Sequence, residues 1–200
     1  MGKLIVFEGI DGAGTGEQSK RLLDFLRERK IPAERIEYPG YHNPIGKFIH
    51  DYLHKKFDLS PEVQALFYAA DMINDKEKIK LWLKEGKYVI TDRYFTSTLA
   101  YQGLRGVKTE KLLKLAELFE MPKPDLVLFL KVSPEISMQR KLNEKTDLDR
   151  NESDKTFLEK LSVFYEQLIK DQAFSQWYAL DGEKSKEEVF EQVKRVLRFG

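Results

Sequence analysis

The sequence predicts an α/β fold in which helices cover both faces of a parallel sheet. Continuous apolar runs at 4–7, 89–91 and 126–130 have the length and composition of strands that are buried on both sides. A helix-like segment follows each run, and a glycine or a proline precedes the second and the third. Strands that alternate with helices in this order are typical of parallel sheets.

Amphipathic segments predict the helices. The first, at 18–29, has apolar residues at helical spacing directly after a glycine-rich turn. Ser60 and Pro61 favour the start of a helix, because serine caps a helix and proline is tolerated in its first turn. Further helices are predicted at 46–55, 61–84, 109–119, 155–170 and 185–197.

The chain contains no internal repeat, low-complexity segment or linker, so we expect a single domain over residues 1–200. The polar run 143–155 is the segment least suited to a core. It is either a mobile lid or an ordinary solvated loop, and composition alone leaves both interpretations open.

The composition narrows the class of protein. Lysine and arginine number 34 against 33 acidic residues, so the charge gives no reason to expect nucleic acid or a membrane as a partner. The absence of cysteine excludes disulfides, thiolate metal sites and cysteine nucleophiles. The amino terminus has no charged leader, and no apolar stretch approaches the roughly 18 residues of a membrane span. We therefore expect a soluble, cytoplasmic protein.

A glycine-rich segment joins the first strand to the first helix. Gly9 and Gly14 have the spacing of the phosphate-binding motif G-x-x-x-x-G-K-[ST]. Backbone amides in such a loop, together with the start of the following helix, attract phosphate. Thr15 stands where the motif has lysine, and Gly16 where it has the hydroxyl that binds magnesium. The segment is therefore either a phosphate cradle without these two groups or a plain strand-to-helix turn.

Three side chains near the loop are relevant to the missing lysine and the missing hydroxyl group. Thr15 can donate a hydrogen bond to a phosphate. Lys20 lies one to two helical turns further on, and we expect it to face solvent or the sheet edge rather than replace the lysine. Glu17, at the helix start, could reach a metal ion, but we favour the interpretation that it stabilises the helix dipole.

Blocks of sequence along nearly the whole chain resemble the thymidylate kinase family. In family order and spacing they are EGIDGAG at 8–14, DRY at 92–94, serine at 97, AYQG at 100–103 and PKPDL at 122–126. The resemblance implies a P-loop NTPase-like nucleoside-monophosphate kinase fold with a lid at about 140–155. It also implies transfer of the γ-phosphoryl group of ATP to dTMP, with Mg²⁺ as the metal ion, by a homodimer that binds only small nucleotides.

The resemblance implies a donor site around the glycine-rich loop. The residues expected to bind ATP are Gly9, Gly12, Ala13, Gly14, Thr15, Gly16, Glu17, Arg140 and Gly182. Ala13 fits the family variant in which the lid supplies the extra arginine. Arg140 and Arg150 are the candidates for that role, and a solvated, charged helix end is the alternative for each.

The resemblance also implies an acceptor site. Asp92 is expected to hold Mg²⁺ and Arg93 to grip the acceptor phosphate, so these two residues and Arg150 are the candidate catalytic residues; a structural salt bridge is the alternative for the pair. Asp11 is expected to contact the 3′-hydroxyl group and Tyr101 to crowd the 2′ position. The residues expected to bind the acceptor are Asp11, Phe67, Tyr68, Met72, Arg93, Ser97, Tyr101 and Gln102.

The helix predicted from Ser60 departs from the family where it meets the base. Tyr68 is expected to stack on the base, or Phe67 if the register slips by one residue. Met72 stands where relatives carry an arginine that hydrogen-bonds the base. Gln102 can offer both a donor and an acceptor to a pyrimidine.

A second departure follows Pro39. Gly40 and Tyr41 stand where relatives carry an arginine that reaches the phosphates. A kinase with a changed base preference, or a nucleotide-binding protein that no longer catalyses, are therefore the alternatives to a thymidylate kinase.

Overall fold

The structure is a computed structural model that describes residues 2–144, 149–151 and 154–199. A parallel sheet with the strand order β2-β3-β1-β4-β5 forms its centre. In chain order the strands are β1 (Lys3–Glu8), β2 (Ala33–Glu37), β3 (Tyr88–Asp92), β4 (Leu126–Lys131) and β5 (Trp177–Asp181). The predicted α/β fold with a parallel sheet is thus confirmed.

Helices connect the strands and cover both faces of the sheet. They are α1 (Thr15–Glu28), α2 (Pro44–Leu53), α3 (Pro61–Asn74), α4 (Lys76–Lys84), α5 (Phe95–Leu104), α6 (Thr109–Leu118), α7 (Pro134–Glu144), α8 (Lys155–Lys170) and α9 (Lys186–Leu197). None of the helices in the described ranges combines the length and the apolar character needed to cross a membrane.

The predicted helix at 61–84 is in fact two helices. Asp75 ends α3 and precedes the first residue of α4, with φ −98° and ψ 0°. The hydroxyl of Tyr38 donates to the carboxylate of Asp75 at 3.4 Å. Because the interruption is a single residue, the apolar spacing continues across it, and the sequence pattern does not reveal the break.

The strands at 4–7, 89–91 and 126–130 are confirmed as β1, β3 and β4, which occupy the centre of the sheet. The edge strands β2 and β5 were not predicted. Each has exposed or half-exposed residues at most positions, so neither has the continuous apolar run that identifies a central strand.

Alternate residues of β1 enter two separate cores. Leu4 and Val6 belong to the core that includes residues of α3, α5 and α8, whereas Ile5 and Phe7 belong to the core that includes residues of α1 and α9. All four side chains are fully buried. Burial of each contributes about 1.5–3 kcal/mol to folding. The central strands are thereby fixed, with their carboxyl ends meeting at one edge of the sheet.

Candidate nucleotide-binding site

A cavity of about 540 Å³ opens at the carboxyl ends of β1, β2 and β3. Its wall includes the loop after β1, the residues that follow β2 and β3, parts of α3 and α5, and Lys141 of α7. Ligand sites in parallel α/β sheets lie in this position, because loops from several strands converge there.

The loop after β1 forms the floor of the cavity at the start of α1. Gly12 and Gly14 have φ angles of +83° and +95°, which other residues rarely adopt. A side-chain carbon at Gly12 would also lie 2.6 Å from the carbonyl oxygen of Ser137. The resulting curved backbone and the amino end of α1 suit an anion, as expected of a phosphate cradle.

The donor residues expected in this loop divide into two groups. Those that line the cavity are Gly12, Gly14, Thr15, Gly16 and Glu17. Gly9 and Ala13 instead shape the loop, since a side-chain carbon at Gly9 would lie 2.7 Å from Cβ of Ala13. Ala13 is buried in the core beside α1.

Thr15 and Gly16 both lie against Asp92 at the end of β3. A side-chain carbon at Gly16 would lie 3.0 Å from Oδ2 of Asp92, and the Thr15 side chain is close enough to act on the pKa of this carboxyl. Burial raises the pKa of the Asp92 carboxyl, while Arg93, Thr15 and Arg35 act in the opposite direction. Asp92 is thus well placed beside the loop to face a metal ion.

Glu17 has charged partners outside the loop, and Lys20 lies on the exposed side of α1. Glu17 pairs with Arg21 at 2.6 Å and with Lys186 at 3.6 Å. The hydrogen bond from Arg21 lowers the pKa of Glu17. Lys20 is exposed, as expected, and is not among the described residues that line the cavity.

Arg93 follows β3 with a φ of +64°, in the left-handed region. Its Nη1 donates to the carbonyl oxygen of Gly9 at 2.8 Å, and its Nη2 donates to Oδ1 of Asp11 at 2.5 Å. The guanidinium lines the cavity, and its ion pair is with Asp11 rather than with Asp92, which pairs with Arg35 instead.

Glu8 stabilises the surroundings of Arg93. It was not among the residues we expected in the site. It is fully buried and accepts hydrogen bonds from Thr96 at 2.6 Å, from Ser97 at 2.7 Å and from Tyr165 at 2.9 Å. Burial raises its pKa, and Arg93 together with the hydroxyl groups opposes that shift. Ser97 itself lines the cavity.

Tyr101 and Tyr68 line the part of the cavity where the acceptor is expected. The hydroxyl of Tyr101 donates to Oδ2 of Asp11 at 2.9 Å, and both residues line the cavity. Tyr68 also lines it, whereas the ring of Phe67 stacks on Phe48 with centroids 4.2 Å apart. The structure therefore places Tyr68, and not Phe67, where a base could stack.

Two buried polar atoms without hydrogen-bond partners in the described structure belong to residues that line the same cavity. Oε1 of Gln102 and Oγ1 of Thr98 are buried and have no hydrogen-bond partner among the described residues. Nε2 of Gln102 donates to Oε1 of Gln64 at 3.3 Å. Thr98 was not predicted, although it shares a face of α5 with Gln102, four residues later. Buried unpaired polar groups cost free energy, so these two atoms suit a polar ligand.

Met72 lies elsewhere. Its side chain is only 2% exposed and belongs to the core beside α3, and it is not among the described lining residues. The expectation that it contacts the base is therefore not supported by its position.

Gly40 has no room for the arginine that relatives carry after the proline. Its N–H donates to Oδ2 of Asp71 at 2.7 Å, and a side-chain carbon at this position would lie 2.7 Å from Nδ2 of Asn43. Asp71 is buried and also accepts from that amide at 2.7 Å. Tyr41, the next residue, lines the cavity.

The lid candidates occupy different places. Nη2 of Arg140 donates to the carbonyl oxygen of Gly182 at 3.0 Å. Nη1 of Arg140 lies 3.5 Å from the carbonyl oxygen of Ala13. Arg140 thus joins the loop after β1 to the turn after β5. Of the expected lid segment, residues 145–148 and 152–153 lie outside the described residues.

Arg150 is held away from the loop. Its guanidinium donates to Oδ1 of Asp58 at 2.7 Å and to the carbonyl oxygen of Phe57 at 3.1 Å, and it lies 4.5 Å from the ring centroid of Tyr52. The described lining of the cavity does not include Arg150, but it does include Lys141, a cation we did not assign to the site.

The chain is similar to thymidylate kinases throughout its length. The family model for thymidylate kinase matches residues 7–193. Thymidylate kinase from Carboxydothermus hydrogenoformans is 34% identical over 201 residues, which cover 98% of this chain and 97% of that protein. The human thymidylate kinase is 33% identical over 196 residues, covering 98% of this chain and 89% of that protein.

A solved structure agrees with the sequence relatives. The thymidylate kinase of Candida albicans superimposes with a TM-score of 0.79 at 25% identity, covering 99% of this chain and 92% of that one. The family match spans residues 7–193 and so includes all the described residues that line the cavity. This chain belongs to the thymidylate kinase family.

Proposed function

We propose that this protein transfers the γ-phosphoryl group of ATP to dTMP, giving dTDP and ADP, and that the residues of one cavity perform the transfer. The observation that supports this most directly is the position of Arg93. It lines the cavity between the phosphate loop and the acceptor side, and it is tied to both, through Gly9 and through Asp11. A protein that only bound ATP would have no use for a cation in this place.

Arg93 is proposed to hold the acceptor phosphate. Arginine suits this role, because its planar guanidinium can offer parallel donors to phosphate oxygens. The carbonyl of Gly9 and the carboxylate of Asp11 fix the guanidinium before substrate arrives. Preorganisation of this kind lowers the entropy cost of placing the two phosphates in line.

The sugar is proposed to lie against Asp11 and Tyr101. The Tyr101 hydroxyl already occupies one oxygen of Asp11, at 2.9 Å, which fixes both side chains. With the carboxylate near a 3′-hydroxyl group, the tyrosine ring would crowd a 2′-hydroxyl group, so the site favours deoxyribose.

The base is proposed to stack on Tyr68 and to be read by Gln102 and Thr98. The unpaired Oε1 of Gln102 can accept from a ring N–H of thymine, and the unpaired Oγ1 of Thr98 can donate to a carbonyl. Recognition then depends on neutral groups, since Met72 occupies the position of the family's arginine and is buried in the core.

ATP is proposed to lie over the loop, with its phosphates on the backbone amides of residues 12–17 and its adenine near Arg140 and Gly182. Charge on the donor phosphates is assigned to Lys141 rather than to Arg150. Lys141 lines the cavity, and its Cγ lies 3.2 Å from where a side-chain carbon of Gly12 would be, whereas the described lining does not include Arg150.

The site also fits Mg²⁺, which a kinase uses to bridge and neutralise donor phosphates. Protein sites bind this ion through one or two carboxylates together with phosphates and water. Asp92 is a carboxylate of this kind, at the wall of the cavity beside Gly16. The homodimer and the cytoplasmic location stay predictions.

ADP release from ATP and magnesium, measured with dTMP, dUMP, dCMP and dGMP, tests the function. We expect rapid turnover of dTMP that is lost in Arg93→Ala and kept in Arg27→Ala, a matched change at an exposed position of α1. Comparable turnover of several pyrimidine nucleotides would show a relaxed base preference. ATP binding without turnover of any acceptor would show a non-catalytic protein.

A further inference from the structure

Arg35, on the edge strand β2, connects three parts of the fold near the phosphate loop. Its Nε donates to Oγ of Ser19 at 2.9 Å, its Nη1 to Glu37 at 2.9 Å and its Nη2 to Oδ2 of Asp92 at 3.1 Å. The side chain is 19% exposed. Every nitrogen of the guanidinium therefore has a partner, and the partners belong to α1, β2 and β3.

These contacts surround position 16, where the loop has glycine instead of the serine or threonine of the phosphate-binding motif. Ser19 donates to the carbonyl oxygen of Gly16 at 3.0 Å, so Arg35 reaches the first turn of α1 through that hydroxyl. Oδ2 of Asp92 lies 3.0 Å from where a side-chain carbon of Gly16 would be. Asp92 thus occupies the space into which a serine or threonine at position 16 would extend.

The charge of Arg35 acts on Asp92 and not on a substrate. The described wall of the cavity includes Asp92, Glu37 and Gly16 but does not include Arg35. A carboxylate has about four lone-pair sites, so Arg35 and Thr15 leave acceptor capacity on Asp92 towards the cavity. Arg35 therefore stands behind Asp92, as the partner that orients a metal ligand usually does.

We propose that Arg35 is a positioning residue that fixes Asp92 over Gly16, so that the Asp92 carboxylate binds the metal ion in the place of the missing hydroxyl. This rests on the proposed function only in its assumption that a metal–nucleotide complex occupies the cavity. In this arrangement Gly16 and Arg35 depend on each other: glycine provides the space, and the arginine keeps the carboxylate there.

A purely structural role is the competing explanation, because the same ion pair also ties β2 to β3. The chain offers a matched control at the other end of these two strands. Lys87, next to β3, pairs with Glu34 of β2 at 3.0 Å and with Glu85 at 3.1 Å. Lys87→Met removes a cation that joins the same strands, far from the loop.

The test measures Mn²⁺ binding to the ADP complex by electron paramagnetic resonance, beside ADP binding without metal by calorimetry. For Arg35→Met we expect Mn²⁺ affinity to fall about 10- to 100-fold, the usual effect of losing a ligand's supporting partner. Metal-free ADP binding should stay within about twofold of wild type, as the loop amides do not depend on Asp92. Lys87→Met should match wild type in both measurements.

A second part of the test restores a hydroxyl group at position 16. In the double variant Arg35→Met, Gly16→Ser, Asp92 is free to move away and the serine can supply an oxygen, so Mn²⁺ affinity should recover in part. Wild-type Mn²⁺ affinity in Arg35→Met, or an equal loss in Lys87→Met, would overturn the proposal.

If Arg35→Met does not fold, Arg35→Lys takes its place in the test. Lysine keeps the charge but cannot present the same fork, so a loss of at least severalfold in Mn²⁺ affinity is expected, and unchanged affinity would refute the positioning role. None of these readouts requires turnover. A protein that binds Mn²⁺ and ADP in this manner but does not phosphorylate dTMP would disprove the proposed function and leave this inference standing.

Discussion

Asp11 connects two side chains of the acceptor pocket at once. Its Oδ1 accepts from Arg93 at 2.5 Å, and its Oδ2 accepts from the hydroxyl of Tyr101 at 2.9 Å. Both oxygens of one carboxylate are therefore used to hold Arg93 and Tyr101, the side chains proposed to bind the acceptor phosphate and the sugar. Any change at Asp11 should act on both.

Asp11→Asn is expected to lower kcat/KM for dTMP about 10- to 100-fold, because a hydrogen bond to a charged group contributes about 1.5–3 kcal/mol. The amide keeps the shape of the side chain but cannot pair with the guanidinium of Arg93. Steady-state kinetics at saturating ATP measure the effect. An unchanged kcat/KM for dTMP would show that the carboxylate serves only the fold.

Gln102→Leu tests how the base is read. We expect kcat/KM for dTMP to fall about 10- to 100-fold, since the buried oxygen proposed to accept from the base is removed. The free energy of unfolding should fall by about 1–3 kcal/mol, because leucine cannot donate to Oε1 of the buried Gln64. Gln167→Leu, at an exposed position of α8, is the control. Equal kinetics in the two variants would remove Gln102 from the base site.

Gly40→Arg tests whether the family's missing arginine can be restored. The side-chain carbon would lie 2.7 Å from Asn43 and 3.3 Å from Oδ1 of Asp71, so we expect a loss of about 1–3 kcal/mol in the free energy of unfolding. Activity should not increase. Tyr41→Arg places the same side chain one residue later, at a position that is 46% exposed, and should cost less than about 0.5 kcal/mol. Urea unfolding measures the free energy of unfolding of both variants. Equal values would contradict the inference that a side chain at position 40 is crowded.

Lys141→Met tests the cation assigned to the donor phosphates. We expect kcat/KM for ATP to fall on the order of a hundredfold, the usual effect of removing one electrostatic donor from such a site. Lys20→Met, on the exposed side of α1, should behave as wild type. If the Lys20 variant shows the larger loss, the lysine missing from position 15 has been replaced from α1 instead.

The central strands could be predicted from the sequence because they are apolar along their whole length, and the phosphate loop because its glycines keep their spacing. The edge strands could not, since only two of the five residues of each are buried. The break at Asp75 was also missed, because a single-residue interruption leaves the helical spacing intact.

Residues of the site could be predicted from the sequence only where they belong to a short local motif. Tyr68 and Phe67 are neighbours in sequence, and packing of Phe67 on Phe48 is what separates them. Thr98 has no signal of its own; its significance lies in a buried oxygen without a partner. Arg35 is 57 residues from Asp92 in the chain, so only the pairing of β2 with β3 reveals their contact.

The crowding of Asp92 against Gly16 limits which sequences this protein can reach by single changes. A serine at position 16 alone would meet the carboxylate, which Arg35 and Thr15 hold in place. A lysine at position 15 alone would remove one of those supports. The residues of the standard loop at positions 15 and 16 would therefore fit best if Asp92 and its partners changed with them.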